Sequence, residues 1–400
     1  MIKRIKIRDF KSIGEIDLEL DPVTVLVGRS GSGKSNLVQA IRFLRNLLFD
    51  LALASHNEFG WERIVPVGKQ NPQTSIDVTF SVPGEERDYR YVVAFGLQRS
   101  IKAFQGSNTP LILRQEQLSL GEEMIFSRGR DPTAGAWSWK KAPNVTPVPS
   151  QAETPRLGSF PSLQQVVFAY AALSTGIGYY HFPSSTLVAS RRPQPVEQMP
   201  KHFTGLDDNA TNYRDVMRSI IQDFHRPLIR KSLFATLQSV NPSIESIELD
   251  SLTTPTKASI AHKAADRIFA LSLEQESDGF RRFYAHLLAL YQIPSKLLLV
   301  FEEPENAIFP GALSVLAEEF RAAPCEDRGQ VVLTTHSPIL LDSFDVENVR
   351  VVEMHHGQTV VGKISKTQRQ SVKDQILTTG ELLTVDTARL DEEEAEAQPA

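Results

Sequence analysis

Over the first 27 residues, apolar and charged positions alternate. Ile5 and Ile7 stand between Arg4, Lys6 and Arg8, then Ile16, Leu18 and Leu20 repeat the pattern before the apolar run Val23 to Val27. A period of two predicts half-buried strands, and the unbroken run predicts a strand buried on both faces. Past Gly28 the period changes: Leu37, Ile41, Leu44 and Leu48 have the spacing of an amphipathic helix. Strand patterning returns over Ser75 to Val82, over Tyr89 to Leu97 after the turn PGEERD, and over Leu111 to Leu120. From Asp131 to Pro161 the chain is rich in Pro, Gly, Ser and Thr, which predicts an extended loop, because proline lacks the amide hydrogen that a helix or an interior strand needs.

Residues 162–243 read as a mainly helical insertion, with helices over Gln164 to Leu173 and Asn212 to Leu237 and no heptad run long enough for a coiled-coil arm. Strands are expected again at Ile247 to Leu249, Ala258 to Ala261 and Ile268 to Leu273. Two apolar runs, Leu297 to Phe301 and Val331 to Leu333, flank a helical stretch from Gly311 to Ala322, which makes their strand ends neighbours. The expected divisions are a first lobe over 1–130 with a β subdomain, the loop 131–161, the insertion 162–243, a second lobe over 244–390 and an acidic tail over 391–400.

Composition adds exclusions. The chain has 400 residues, 41% hydrophobic and 23% charged, which suits a folded α/β body and not a disordered or fibrous one. A net charge of −5 provides no overall positive field, so any nucleic-acid contact must use a local patch. The single cysteine, Cys325, excludes an intramolecular disulfide and every multi-cysteine zinc pattern. Neither an apolar leader segment nor a run of about 18 apolar residues occurs, so a soluble cytoplasmic protein with no membrane contact is expected.

Three segments carry candidate chemistry. Gly28-Arg29-Ser30-Gly31-Ser32-Gly33-Lys34-Ser35, followed by Asn36, fits GxxxxGK[ST] between a predicted strand and helix, the setting of a phosphate loop. Glycines let backbone N–H groups close on phosphates, the helix N-terminus adds positive potential, Lys34 supplies a cation and Ser35 a hydroxyl for Mg²⁺. The run ending Phe301-Glu302-Glu303-Pro304-Glu305-Asn306 places Glu302 to hold Mg²⁺ and Glu303 to polarise an attacking water. The run ending Thr334-Thr335-His336-Ser337-Pro338 offers His336 as a donor to the γ-phosphate or the water.

These segments, with SDGFRR from Ser277 and LDDNATNYRDVM from Leu206, resemble the ABC-type ATPase head of the RecF, SMC and OLD group, in particular the prokaryotic AAA_21 proteins. The resemblance implies a P-loop α/β fold, ATP and Mg²⁺ as cofactors, and a homodimer in which two heads clamp nucleotide. It further implies that Ser277 and Gly279 contact the γ-phosphate bound by the other protomer, that Asn306 and Ala307 line the seam and that Lys11 approaches the adenine. Glu302 stands where the family has aspartate, Ala307 and Phe309 where glycine and histidine are common, and Gln70 is the candidate for the family's sensing glutamine. The segment after His336 lacks the acidic pattern of a Toprim nuclease, so no nuclease half is expected.

An ATP-hydrolysing conformational switch is therefore the expected activity, with two kinds of cargo open. Lys3, Arg4, Lys6, Arg8 and Lys11 on one strand, and His225, Arg226, Arg230 and Lys231 on a helix, could contact duplex DNA in repair or recombination, with Trp137 and Trp139 available to stack. Otherwise the switch is a sensor or scaffold subunit, as in phage defence, that controls a partner effector protein.

Overall fold

The computed structural model describes residues 1–49, 54, 63–69, 72–97, 111–130, 137–141, 164–187, 205–223, 227–250 and 257–391. The chain divides into two compact units, one comprising residues 1–177, 349–370 and 388–400 and the other residues 178–348 and 371–387.

In the first unit, strands β1 (Ile2–Phe10), β2 (Ile13–Glu19), β4 (Ser75–Phe80), β5 (Tyr89–Leu97), β6 (Leu111–Leu120), β7 (Glu123–Arg130) and β8 (Trp137–Lys141) form a sheet in the order β2-β1-β4-β5-β6-β7-β8. Its register sets Ile5 opposite Leu18 and Ile7 opposite Ile16, all four buried, and turns the intervening charges outward. The sheet carries a buried ion pair: the Arg128 guanidinium lies 2.6 Å from Glu116 Oε2, and Tyr91 donates to Glu116 Oε1 at 2.9 Å. Burial, reinforced by that carboxylate, pushes the Tyr91 phenol well above its usual range.

Strand β3 (Val23–Val27), buried throughout, runs parallel to β15 (Val349–His355), which pairs antiparallel with β16 (Gln358–Lys363). Helix α1 (Lys34–Phe49) follows β3 and packs with α2 (Gln164–Leu173), its Phe43 lying against Phe10 and Phe95.

In the second unit, β13 (Leu298–Glu302) has β9 (Ile177–Tyr180) on one side and β14 (Gln330–Thr334) on the other. β13 and β14 are parallel, in a register that sets Glu302 opposite Thr334, and α6 (Pro310–Cys325) connects them. Cys325, at the end of α6, is exposed. Helices α3 (Tyr213–Gln222), α4 (Pro227–Val240) and α5 (Asp278–Tyr291) pack on one another, and α4 also packs on β10 (Ile244–Asp250). With β11 (Lys257–Ala264) and β12 (Arg267–Ser272), β10 makes an antiparallel three-stranded sheet.

The first three strands, the hairpin strands and the helices at 34, 164 and 310 lie where the periodicity places them. Three features differ. The proline-rich stretch contains β8, tolerated because it is an edge strand and offers one side of its backbone to β7. The region 162–243 is interrupted by β9, whose four residues are too short for a period to show. The helix expected from Asn212 to Leu237 is two helices, with Pro227 opening the second, the position at which a missing N–H costs nothing. Gln70, His225, Arg226, residues 142–163 and the tail from 392 lie outside the described residues, as do the side chains of Trp137 and Trp139.

The LDDNATN segment builds the entry to α3. Asp207 accepts hydrogen bonds from the backbone N–H groups of Asn209, Thr211 and Asn212, while Asn212 accepts from Asp207 N at 2.9 Å. Such side chains satisfy donors that a helix start leaves open.

Candidate nucleotide-binding and catalytic residues

In the first unit, the segment from Gly28 to Ser35 leaves the buried strand β3 and enters α1 at Lys34. Gly28, Gly31 and Gly33 have φ of +154°, +79° and +101°, a region that side chains with a Cβ rarely adopt. Space excludes a Cβ as well: at Gly28 it would fall 2.1 Å from Val352 O, and at Gly33 1.9 Å from Thr359 Oγ1. Lys34 Nζ donates to the carbonyls of Gly28 at 2.8 Å and Arg29 at 3.1 Å, so the amine lies across the loop. Ser32 Oγ is buried without a hydrogen-bond partner among the described residues, whereas Ser35 is exposed in the first turn of α1. A backbone kept free of side chains, an orphaned hydroxyl and the start of a 16-residue helix fit a phosphate chain.

A directional chain of side chains braces this loop. Asn36 Nδ2 donates to Ser12 Oγ at 2.7 Å, Ser12 and Thr359 hydroxyls lie 2.6 Å apart, and Thr359 Oγ1 donates to Ser32 O at 3.1 Å. Ser12 and Thr359 are 347 residues apart in sequence, and neither carried a pattern that would have singled it out. Lys11, at φ +53°, donates to Gln39 on α1 at 2.6 Å and lies 5.6 Å from the Phe10 ring centre.

In the second unit, Glu302, Glu303 and His336 gather at the C-terminal ends of β13 and β14. Glu303 has φ +47°, and its N–H meets Thr334 O at 3.2 Å and Thr334 Oγ1 at 3.1 Å. Its carboxylate accepts from Asn306 Nδ2 at 2.9 Å, and His336 Nε2 lies 3.7 Å from the other oxygen. Both side chains are well exposed, 37% for Glu303 and 40% for His336, so water reaches the pair. Glu302 is different: one of its oxygens accepts a hydrogen bond from the buried Tyr179 hydroxyl of β9. No group of three or more His, Cys, Asp or Glu side chains among the described residues could hold a metal ion. A divalent cation at Glu302 would thus complete its shell with hydroxyl, phosphate and water oxygens, the set that Mg²⁺ prefers.

Glu305 and Tyr179 are the residues that sequence reasoning missed here. Glu305 Oε1 accepts from Thr335 Oγ1 at 2.8 Å and His336 N at 2.7 Å, which ties the loop bearing His336 to the loop bearing Glu303. The third carboxylate of Glu302-Glu303-Pro304-Glu305 was the available signal for it. Ser277 caps α5, accepting from Phe280 N at 3.2 Å. Gly279 is the second residue of the helix, where a Cβ would fall 2.5 Å from Ala307 O, and Arg282 donates to Asn306 O at 3.3 Å. The start of α5 therefore rests on the loop that leaves Glu303, with Ala307 itself at φ +61°.

The expected basic strand is not a bare cationic strip. Lys3 pairs with Asp88, Arg4 and Lys6 with Asp17, and Arg8 with Glu15, all at 2.8 Å or less. The sequence alternation shows the cations of β1, but only the register shows the acids of β2 opposite them.

Residues 168–342 match the family model described as "AAA domain, putative AbiEii toxin, Type IV TA system", and residues 1–95 match the "AAA ATPase domain" model. The OLD nuclease of Thermus scotoductus is 22% identical over 94% of this chain, which spans 66% of that protein's length. The DNA replication and repair protein RecF of an Arthrobacter species is 47% identical over 47 residues, 12% of each chain. Two solved structures share the fold at 13% identity: an SMC head bound to the C-terminal winged-helix domain of ScpA, with a TM-score of 0.55 over 92% of this chain and 99% of that one, and the Pyrococcus furiosus SMC head with an extended coiled coil and the ScpA C-terminal domain, at 0.54 over 94% and 99%. The fold is the expected P-loop α/β fold of an ABC-type head.

Proposed function

From the match of residues 168–342 and 1–95 to AAA family models and from the fold shared with SMC heads, we propose an ATP-hydrolysing switch in which two protomers close around bound Mg²⁺-ATP. The observation that carries it is the loop from Gly28 to Ser35, with no room for a Cβ at Gly28 and Gly33 and an unpartnered hydroxyl at Ser32. In this reading backbone N–H groups of residues 29–35 and the Lys34 amine hold the β- and γ-phosphates, the Ser35 hydroxyl is a candidate ligand for Mg²⁺, and so, separately, is the Glu302 oxygen that Tyr179 leaves open. Mg²⁺ supplies neutralisation of charge on the phosphate oxygens.

Glu303 accepts the proton of the attacking water and His336 donates to the water or the transferring phosphoryl group. Their separation of 3.7 Å lets one water contact both. Ser277 and Gly279, at the open end of a long helix, present N–H groups to the γ-phosphate held by the partner. Because Gly279 abuts Ala307, that contact reaches the catalytic loop through backbone, so nucleotide state and association of heads become one equilibrium.

Duplex DNA is the cargo that the RecF and SMC relationships favour. The pairing of each β1 cation from Lys3 to Arg8 with a carboxylate favours the second reading, a sensor or scaffold that controls an effector protein. Steady-state ATP hydrolysis by wild type and Glu303→Gln, with and without duplex DNA at two salt concentrations, tests both. The mutant is expected to bind ATP, to lose roughly 10²-fold or more in turnover and to accumulate as dimer in light scattering. Wild-type turnover by the mutant would remove Glu303 from the mechanism. Stimulation by DNA that vanishes at high salt identifies DNA as cargo, and a Glu303-dependent rate indifferent to DNA identifies a protein.

A further inference from the structure

Val352 of β15 and Thr359 of β16 press on the nucleotide loop from one hairpin, the carbonyl of Val352 against Gly28 and the hydroxyl of Thr359 against Gly33. Thr359 is 1% exposed and lies 327 residues after Ser32, so only the fold brings it there. Its N–H donates to Ser12 O at 2.8 Å, its hydroxyl lies 2.6 Å from that of Ser12, and Thr359 Oγ1 donates to Ser32 O at 3.1 Å. The order of protons along this chain is fixed by its end. A carbonyl only accepts, so the single Thr359 proton goes to Ser32 O, and Ser12 must supply the proton between the two hydroxyls. Asn36 Nδ2 then completes the chain by donating to Ser12 Oγ at 2.7 Å. The consequence falls on the Ser32–Gly33 peptide. A trans peptide points its C=O and N–H to opposite sides. With the Ser32 carbonyl drawn to β16, the Gly33 N–H is turned away from the hairpin, and it donates to nothing among the described residues.

We infer that Thr359, backed by Ser12, is a positioning residue for nucleotide: it holds the Ser32–Gly33 peptide so that the Gly33 N–H is set to donate to a phosphate oxygen. In this role neither hydroxyl contacts the ligand. Fixing the peptide before nucleotide arrives removes an ordering cost from binding. The inference rests on the loop from Gly28 to Ser35 being the nucleotide site, as proposed above, and adds the residues that set its affinity from outside the motif.

Equilibrium titration of the full chain with a fluorescent ADP analogue, beside a melting curve of each variant without nucleotide, tests this. Thr359→Val keeps the branched shape and removes the proton, and should raise the Kd about tenfold. Thr359→Ser keeps the proton and drops a methyl group, and should bind as wild type does even where it melts lower. Ser12→Ala leaves Thr359 its proton but frees it to rotate, and should raise the Kd about threefold. Folded Thr359→Val with wild-type affinity would overturn the inference, as would Thr359→Ser as weak as Thr359→Val, because packing and not the hydroxyl would then matter. Should Thr359→Val fail to melt cooperatively, Ser12→Ala at its half-buried site decides, and wild-type affinity there overturns the inference equally. Lys34→Ala separates this from the site itself. Nucleotide binding by that variant would remove the loop as the site, whereas its loss beside intact binding by Thr359→Val rejects the role of Thr359 alone.

Discussion

Glu302 carries one methylene more than the aspartate that the resemblance leads one to expect there, and the Tyr179 hydroxyl bonds to its carboxylate. A glutamate has one more rotatable bond to order, at an entropic cost, and the Tyr179 hydroxyl pins one carboxylate oxygen so that the other keeps a fixed direction. Tyr179→Phe removes only that hydroxyl. It is expected to raise the Mg²⁺ concentration for half-maximal ATP hydrolysis severalfold while costing about 1 kcal/mol of stability. A Mg²⁺ titration at saturating ATP, with a melting curve alongside, separates the two effects, and an unchanged Mg²⁺ dependence would show that Tyr179 only packs. Glu303 and His336 were legible because each ends an apolar strand and one helix joins the strands. Tyr179 was not, because its partner lies 123 residues away and a four-residue buried strand displays no alternation.

At the scale of elements, the start of α5 and the loop from Glu303 to Phe309 behave as one piece. Gly279 allows contact with the Ala307 carbonyl, and Asn306 is shared between Glu303 and Arg282. Gly279→Ala would force a Cβ to 2.5 Å from that carbonyl, so either the helix start or the loop must move. ATP binding, which the proposed function assigns mainly to the loop from Gly28 to Ser35, should survive, whereas ATP-dependent dimerisation in light scattering should fall by an order of magnitude or more (about 1.4 kcal/mol per tenfold). Undiminished dimerisation would separate this contact from association. Periodicity placed α5 only as part of a motif, because its capping serine resembles any other N-cap. The close approach of Gly279 to Ala307 involves a backbone turn with φ +61° at Ala307, which no hydrophobic pattern encodes. β8 illustrates the opposite limit, since composition ruled out an interior strand and left room for an edge.

Across each unit, stability has a pH dependence that can be assigned. His286 of α5 is buried against Phe182, Phe301 and Phe320 and donates from Nδ1 to Arg282 O at 2.7 Å. Burial holds it neutral and lowers its pKa from 6.5 to about 3. The unfolded chain takes up a proton below about 6.5 that the folded chain refuses, so this contribution is complete above 6.5 and lost as pH falls toward 3, at up to about 1.4 kcal/mol per unit. Urea midpoints at pH 7, 6 and 5 should fall less steeply for His286→Gln than for wild type, and equal slopes would reject the assignment. Phe301, in contact with that imidazole, directly precedes Glu302 on β13, so protonation of His286 would act on the strand that carries this carboxylate. The exposed thiol at the end of α6 gives this molecule an experimental advantage of another kind. With one cysteine in the chain, a maleimide fluorophore marks every copy once at Cys325, without engineering, and energy transfer between copies carrying donor and acceptor tests directly whether two copies join and part.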